Sequence, residues 1–197
     1  MTPAAPPIPG LCHVGLTGPM GSGKGEVVAL LVARGFAPIS LSDIVRERVR
    51  ELGRPIDRSQ MQDIGNSLRT EGGAGVLGRR VRERIEASGG RFVIDGIRNP
   101  VEVEELRRLP GFFLIAVTAP TELLIARMLS RGRDTDRAAE GELRRRLARE
   151  WGEGEPEGGQ RVGACVALAD ATLVNDGPLE DLPAVLDRVL AGLASRR

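Results

Sequence analysis

A chain of 197 residues with 41% hydrophobic and 28% charged side chains can bury a full core, and its composition is not that of a disordered or fibrous protein. Lysine and arginine number 28 against 27 acidic residues, a formal charge of +1 that argues against an overall polyanion-binding surface. Aromatic residues make up 3%, with no tyrosine, which removes the stacking platforms that single-strand nucleic-acid binding needs.

Residues 1–10, MTPAAPPIPG, hold four prolines and no charge and read as a disordered lead-in. They have no basic segment and no long apolar core, so they do not read as a signal peptide. From residue 11 onward short apolar runs alternate with segments of helical period. Residues 11–17 form a strand, and 24–34 a mostly buried helix with Val27, Val28, Leu30, Leu31 and Val32. Residues 36–40 form a second strand, and Ser42 is a candidate N-cap for a helix over 43–52. Residues 58–88 give two helices broken at Gly72-Gly73-Ala74-Gly75.

A third strand covers 91–95 and ends in Asp95, and a helix over 101–108 is stopped by Pro110. Residues 112–117 form an apolar run read as a strand, far too short to span a bilayer. A helix over 121–129, a strand over 171–175 and a helix over 179–193 close the chain. This alternation predicts an α/β fold with a five-stranded parallel sheet covered on both faces, in one domain over 11–197. Two stretches depart from it. Residues of about 41–90 insert helices between the second and third strands, and about 130–160, dense in Arg, Glu and Gly, read as a mobile charged flap. Both follow carboxyl ends of strands, where open α/β sheets bind ligands. Cys12 and Cys165 read as reduced buried thiols, and His13 as a core or edge residue. Two cysteines and one histidine cannot make a metal cluster, and the expected location is cytoplasmic.

The chemistry centres on Gly18-Pro19-Met20-Gly21-Ser22-Gly23-Lys24, a G-x-x-x-x-G-K loop between a strand and a helix. Its glycines, Gly18, Gly21 and Gly23, permit positive φ, so that successive N–H groups, Ser22 among them, converge on phosphate oxygens. The following helix adds its positive dipole end, and Lys24 a compact charge for the β- and γ-phosphates of ATP. The next residue is Gly25, followed by Glu26, where a Ser or Thr hydroxyl usually reaches magnesium. Mg2+ is then left to phosphates, water and nearby carboxylates, for which Asp43 and Asp95 are the candidates.

Transfer of a phosphoryl group from such a loop would also need arginines facing it. Asp43 and Arg46 lie one helical turn apart, either as an exposed ion pair or as part of such a site. Asp95 ends a buried strand and needs a partner, with Arg98 close behind it. Arg69 belongs either to the same pocket or to a solvated helix face. Arg127, Arg131 and Arg133 open the flap, where arginines can neutralise a transferring phosphoryl group. Arg137, Arg144, Arg145 and Arg146 read instead as a solvated charge run. Asn175-Asp176-Gly177 is a turn after the last strand.

Gly-Ser-Gly-Lys-Gly at 21–25 resembles the loop of adenylate kinase and other nucleoside monophosphate kinases, although Glu26 stands where those carry Thr. Asp43-x-x-Arg46 and Asp95-Gly96-Ile97-Arg98 are similar to motifs of the same enzymes. The resemblance implies that Arg46 and Arg98 hold the acceptor phosphate, and that Asn175 and Gly177 pack on the adenine. The run from Ile94 to Pro100 with Val101-Glu102-Val103-Glu104-Glu105-Leu106, and Leu168-Ala169-Asp170 leading to Asn175-Asp176-Gly177, resembles the dephospho-CoA-kinase-like group often labelled AAA-family ATPase.

These readings converge on a P-loop NTPase three-layer fold with a helical acceptor-binding insert and a charged lid. The implied activity is ATP-dependent phosphoryl transfer to a small phosphorylated acceptor, a nucleoside or deoxynucleoside monophosphate first. Dephospho-CoA kinase and a non-kinase ATPase or nucleotide-gated binding protein are the alternatives. The expected partners are ATP, Mg2+ and the acceptor, with no membrane and no nucleic acid, in a monomer or homodimer.

Overall fold

The computed structural model describes residues 11–131, 140–155 and 158–194. Five parallel strands form its sheet in the order β2-β3-β1-β4-β5, where β1 is His13–Thr17, β2 Ala37–Ser40, β3 Phe92–Asp95, β4 Phe112–Thr118 and β5 Ala171–Val174. The register sets Gly15 against Ile94 and Leu114, and Ser40 against Asp95. Strand β1 is buried along its whole length although it carries His13 and Thr17, and β4 is a near-continuous apolar run, as a sheet buried on both faces requires.

Helices α1 (Lys24–Val32) and α9 (Leu182–Ala194) cover one face, where Val27, Leu31, Leu186 and Leu190 pack on Val14, Leu16, Ile115 and Leu173. The other face carries α2 (Leu41–Glu51), α3 (Arg58–Gly72), α4 (Val76–Ser88) and α5 (Pro100–Leu106), around Ile94, Ile97 and Leu114. Each such side chain taken fully out of water contributes roughly 1.5–3 kcal/mol, which is why these runs fix the layers. Among the described residues no helix is long and apolar enough to cross a membrane.

Two expectations change, and one element is added to them. Helix α2 begins two residues earlier than its sequence suggests, because Ser40 rather than Ser42 is the N-cap. Ser40 accepts from the Ser42 N–H, and Asp43 accepts from the Ser40 N–H at 3.1 Å, a capping box that settles the start. Helices occupy much of the described part of the charged stretch at 130–160, since α6 (Thr121–Arg131) runs on to Arg131 and α7 (Glu140–Trp151) lies within it. Leu143 and Leu147 of α7 are buried against Leu124, Ile125 and Met128 of α6, while Arg144–Glu140 and Arg146–Glu142 pairs line its outer side. A short helix, α8 (Val162–Ala167), buries Val162 and Cys165 beneath the sheet. Burial pushes the Cys165 thiol up to about 12. Residues 1–10 and Arg133 lie outside the described residues, as does the side chain of Arg131.

Candidate active site

Strand β1 runs directly into the glycine loop, whose backbone requires glycine at three points. Gly18, Gly21 and Gly23 have φ of 134°, 80° and 95°. A Cβ on Gly18 would sit 2.0 Å from the Val117 carbonyl oxygen, and one on Gly23 only 2.3 Å from Asn175 Nδ2. The loop is therefore shaped by its neighbours as well as by its own conformational freedom. Lys24 opens α1, and its ammonium donates to the carbonyls of Gly18 and Pro19 at 2.6 and 2.9 Å, so it folds over the loop. Gly25 and Glu26 face solvent, and a Cβ on Gly25 meets nothing within 4 Å. Ser22 is fully buried; its hydroxyl lacks a hydrogen-bond partner and its carbonyl accepts from Asn175 Nδ2 at 2.9 Å.

Asn175 follows β5, is 5% exposed, and ties the loop to the other half of the sheet. Its N–H donates to the Thr118 carbonyl at 2.8 Å, and Arg127 Nη1 of α6 donates to its own carbonyl at 2.9 Å. Asn175, Asp176 and Gly177 also line a cavity of about 450 Å³ with Asp181, Val185 and Arg188.

On the opposite side, Asp95 at the tip of β3 has one buried carboxylate oxygen, Oδ1, with no hydrogen-bond partner. Ser40 lies opposite Asp95 in the sheet, and Asp43 uses one oxygen to cap α2 at the Ser40 N–H and accepts from Arg46 at 2.5 Å with the other. Among the described residues no group of three His, Cys, Asp or Glu is arranged to hold a metal ion. Thr17, fully buried at the end of β1, donates to the Ile97 carbonyl at 3.0 Å and fixes the segment that presents Arg98.

Arg98 is held by side chain and main chain. Its N–H and that of Asn99 donate to Glu102 Oε2 at 2.9 and 3.1 Å, and Arg69 donates to Glu102 Oε1 at 3.2 Å. Glu102 is wholly buried, which pushes its carboxyl up, while Arg69 and the two main-chain donors pull against that. The Arg98 guanidinium donates to Glu150 of α7 and, at 3.2 Å, to Gln160. Glu150 Oε2 in turn accepts from the Met20 N–H of the glycine loop at 2.7 Å.

The structure thus ties Lys24, the loop, Asn175 and Arg127 together on one side, and Arg98 and Arg69 through Glu102 on the other; Asp43 and Arg46 form their own pair at the start of α2, and Asp95 lies opposite Ser40. Gly177 lines the cavity beside Asn175. The sequence reading missed Glu102 and Glu150. Asn99-Pro100-Val101-Glu102 is a capping-box signature with proline at the first helical position, and it marks Glu102. Leu143, Leu147 and Glu150, spaced four and three apart, lie on one helical face, which is the signal for a buried Glu150.

A glycine loop between a central parallel strand and a helix, approached by Arg98 through the shared Glu150 carboxylate, defines a small P-loop protein of the nucleotide-binding α/β class with a kinase-like fold. The chain belongs to the AAA domain family, whose sequence profile matches residues 14–152. A UPF0200 protein of Sulfurisphaera tokodaii is 32% identical over 179 residues, spanning 90% of this chain and 94% of that relative. TT1252 from Thermus thermophilus superposes with a TM-score of 0.61 at 24% identity, covering 93% of this chain and 98% of the other. Shikimate kinase from Acinetobacter baumannii, in complex with shikimate, superposes with a TM-score of 0.55 at 21% identity over 92% of this chain and 94% of its own. At those identities the two structures establish the shared fold.

Proposed function

We propose that this protein is an ATP-dependent phosphotransferase acting on a small phosphorylated acceptor, with a nucleoside or deoxynucleoside monophosphate as the first candidate. One observation carries the reading: a single carboxylate, that of Glu150, touches both the Met20 N–H of the glycine loop and the Arg98 guanidinium. Donor and acceptor grips separated by one carboxylate leave an acceptor phosphate next to the terminal phosphate of the donor. Phosphoryl transfer needs that proximity and electrostatic stabilisation more than covalent help from the protein.

In this reading the loop N–H groups and Lys24 hold the donor phosphates, Lys24 exchanging its loop carbonyls for phosphate oxygens. Arg46, Arg98 and Arg69 hold the acceptor, Arg131 and Arg133 neutralise the transferring group, and Arg127, Asn175 and Gly177 border the base. The unpartnered Asp95 oxygen fits water on a magnesium ion, with Asp43 sharing that role. Bound magnesium would supply charge neutralisation between the phosphates.

A second reading, a non-kinase ATPase or nucleotide-gated binding protein, draws on the carboxylate partners that Arg46, Arg69 and Arg98 already carry, Asp43, Glu102 and Glu150. Dephospho-CoA kinase would share the chemistry but not the acceptor. ATP consumption measured with a panel of nucleoside monophosphates, with dephospho-CoA, and with no acceptor separates the three. Turnover indifferent to every acceptor sinks the kinase reading. For the site, Arg98→Ala is expected to raise the acceptor KM or lower kcat while ATP affinity changes little. Equal loss of ATP binding would move Arg98 to the donor side.

A further inference from the structure

Glu150 is 2% exposed, and both oxygens of its carboxylate are committed to the proposed transfer site. Oε2 accepts from the Met20 N–H at 2.7 Å and Oε1 from Arg98 Nη1, which also donates to Gln160. A buried carboxylate is costly unless each oxygen is paired, and here each is. Leu143 and Leu147, buried on the same face of α7, hold the residue in place. One main-chain N–H from a glycine loop and one guanidinium are the donors that a phosphate group takes in such loops.

We propose that Glu150 is a positioning residue that stands in for a phosphate: it holds Arg98 against the glycine loop and competes with phosphate for both donors. The inference rests on the phosphotransferase reading for its effect on turnover and on the geometry alone for its effect on binding. Glu150→Gln keeps the shape and removes the charge, so a phosphate entering the glycine loop no longer displaces an anion from the Met20 N–H. Pyrophosphate should then bind about three- to tenfold more tightly than to the wild type, the scale of one exchanged charge-assisted contact. Acceptor-dependent kcat should fall in the same variant, because Arg98 loses its support. A residue with a merely structural role would lower both.

The test is calorimetric titration of pyrophosphate into the wild type and Glu150→Gln, each checked for folding by its thermal transition. Tighter binding to the variant is the expected result, and equal or weaker binding overturns the inference. Should the variant fail to fold, the Met20 amide resonance of the wild type is followed through a pyrophosphate titration. It should move to a saturating value as its partner changes, and a resonance unmoved at saturation overturns the inference. Neither measurement involves an acceptor, so failure of the kinase reading in the turnover panel leaves both results interpretable. Conversely, acceptor-dependent turnover together with unchanged pyrophosphate affinity in Glu150→Gln discards the stand-in role alone.

Discussion

Asn175→Asp is a sharp test of how the glycine loop is held, because it changes one atom's chemistry and almost no volume. In the wild type Nδ2 donates to the Ser22 carbonyl at 2.9 Å. The peptide joining Ser22 to Gly23 is planar and trans, so fixing that carbonyl on one side aims the Gly23 N–H to the other. A carboxylate cannot donate, and it would set an oxygen against the Ser22 oxygen at a position only 5% exposed. Leaving a buried carbonyl without its donor costs about 1–3 kcal/mol, and the opposed oxygens put the total near the upper end. A chain of this size loses roughly 2–4 °C of Tm per kcal/mol, so a drop of about 4–12 °C is expected. If about 1.4 kcal/mol of this falls on loop geometry, ATP affinity falls roughly tenfold. Calorimetric melting and ATP titration of wild type, Asn175→Ala and Asn175→Asp measure both, with the aspartate variant expected to be the worse. An aspartate variant that melts and binds ATP like the wild type would refute this account of the loop.

Gly18→Ala should destabilise by about 3–5 kcal/mol, since it combines a disfavoured φ with a Cβ 2.0 Å from a main-chain oxygen; a chemical-denaturation midpoint equal to the wild type's would contradict this. Gly25→Ser should fold normally, because nothing lies within 4 Å of its Cβ, and it should lower the Mg2+ concentration for half-maximal ATP binding. An unchanged Mg2+ dependence would place that hydroxyl away from the metal. Burial holds the His13 imidazole below its ordinary 6.5, so below that pH the unfolded chain takes up a proton that the fold does not. Its contribution to stability is complete above pH 6.5 and is lost as pH falls through the lowered folded-state value. His13→Gln should therefore flatten the acid side of the stability profile, and parallel profiles for the two proteins would remove His13 from the explanation.

The parts of the site legible in the sequence are those made by neighbours along the chain. The glycine loop, Asp43 with Arg46, and Asp95 with Arg98 each depend on a strand end and the few residues after it. The unreadable parts depend on distant partners, such as Asn175 on Ser22, and Met20 and Arg98 on Glu150. Helix α7 escaped the reading because Arg and Glu fill most of its positions, and two leucines plus a carboxylate are all that face inward. The early start of α2 escaped because Ser40 and Ser42 are both plausible caps, and the choice is made by Asp43 reaching back to Ser40.

Strand order β2-β3-β1-β4-β5 also sorts the strands in space, with the two that lie within residues 37–98 on one flank of β1 and the two within residues 112–174 on the other. Each flank is a continuous stretch of sequence, so a segment inherited or transplanted as a unit could alter what one flank grips and leave the other intact. The Arg98–Glu150 pair crosses that divide. A chimera that takes 37–98 from a relative without a matching residue at 150 would strand a buried charge, a defect of about 3–5 kcal/mol. Positions 98 and 150 must therefore change together, and that linkage limits how freely the two flanks can be recombined.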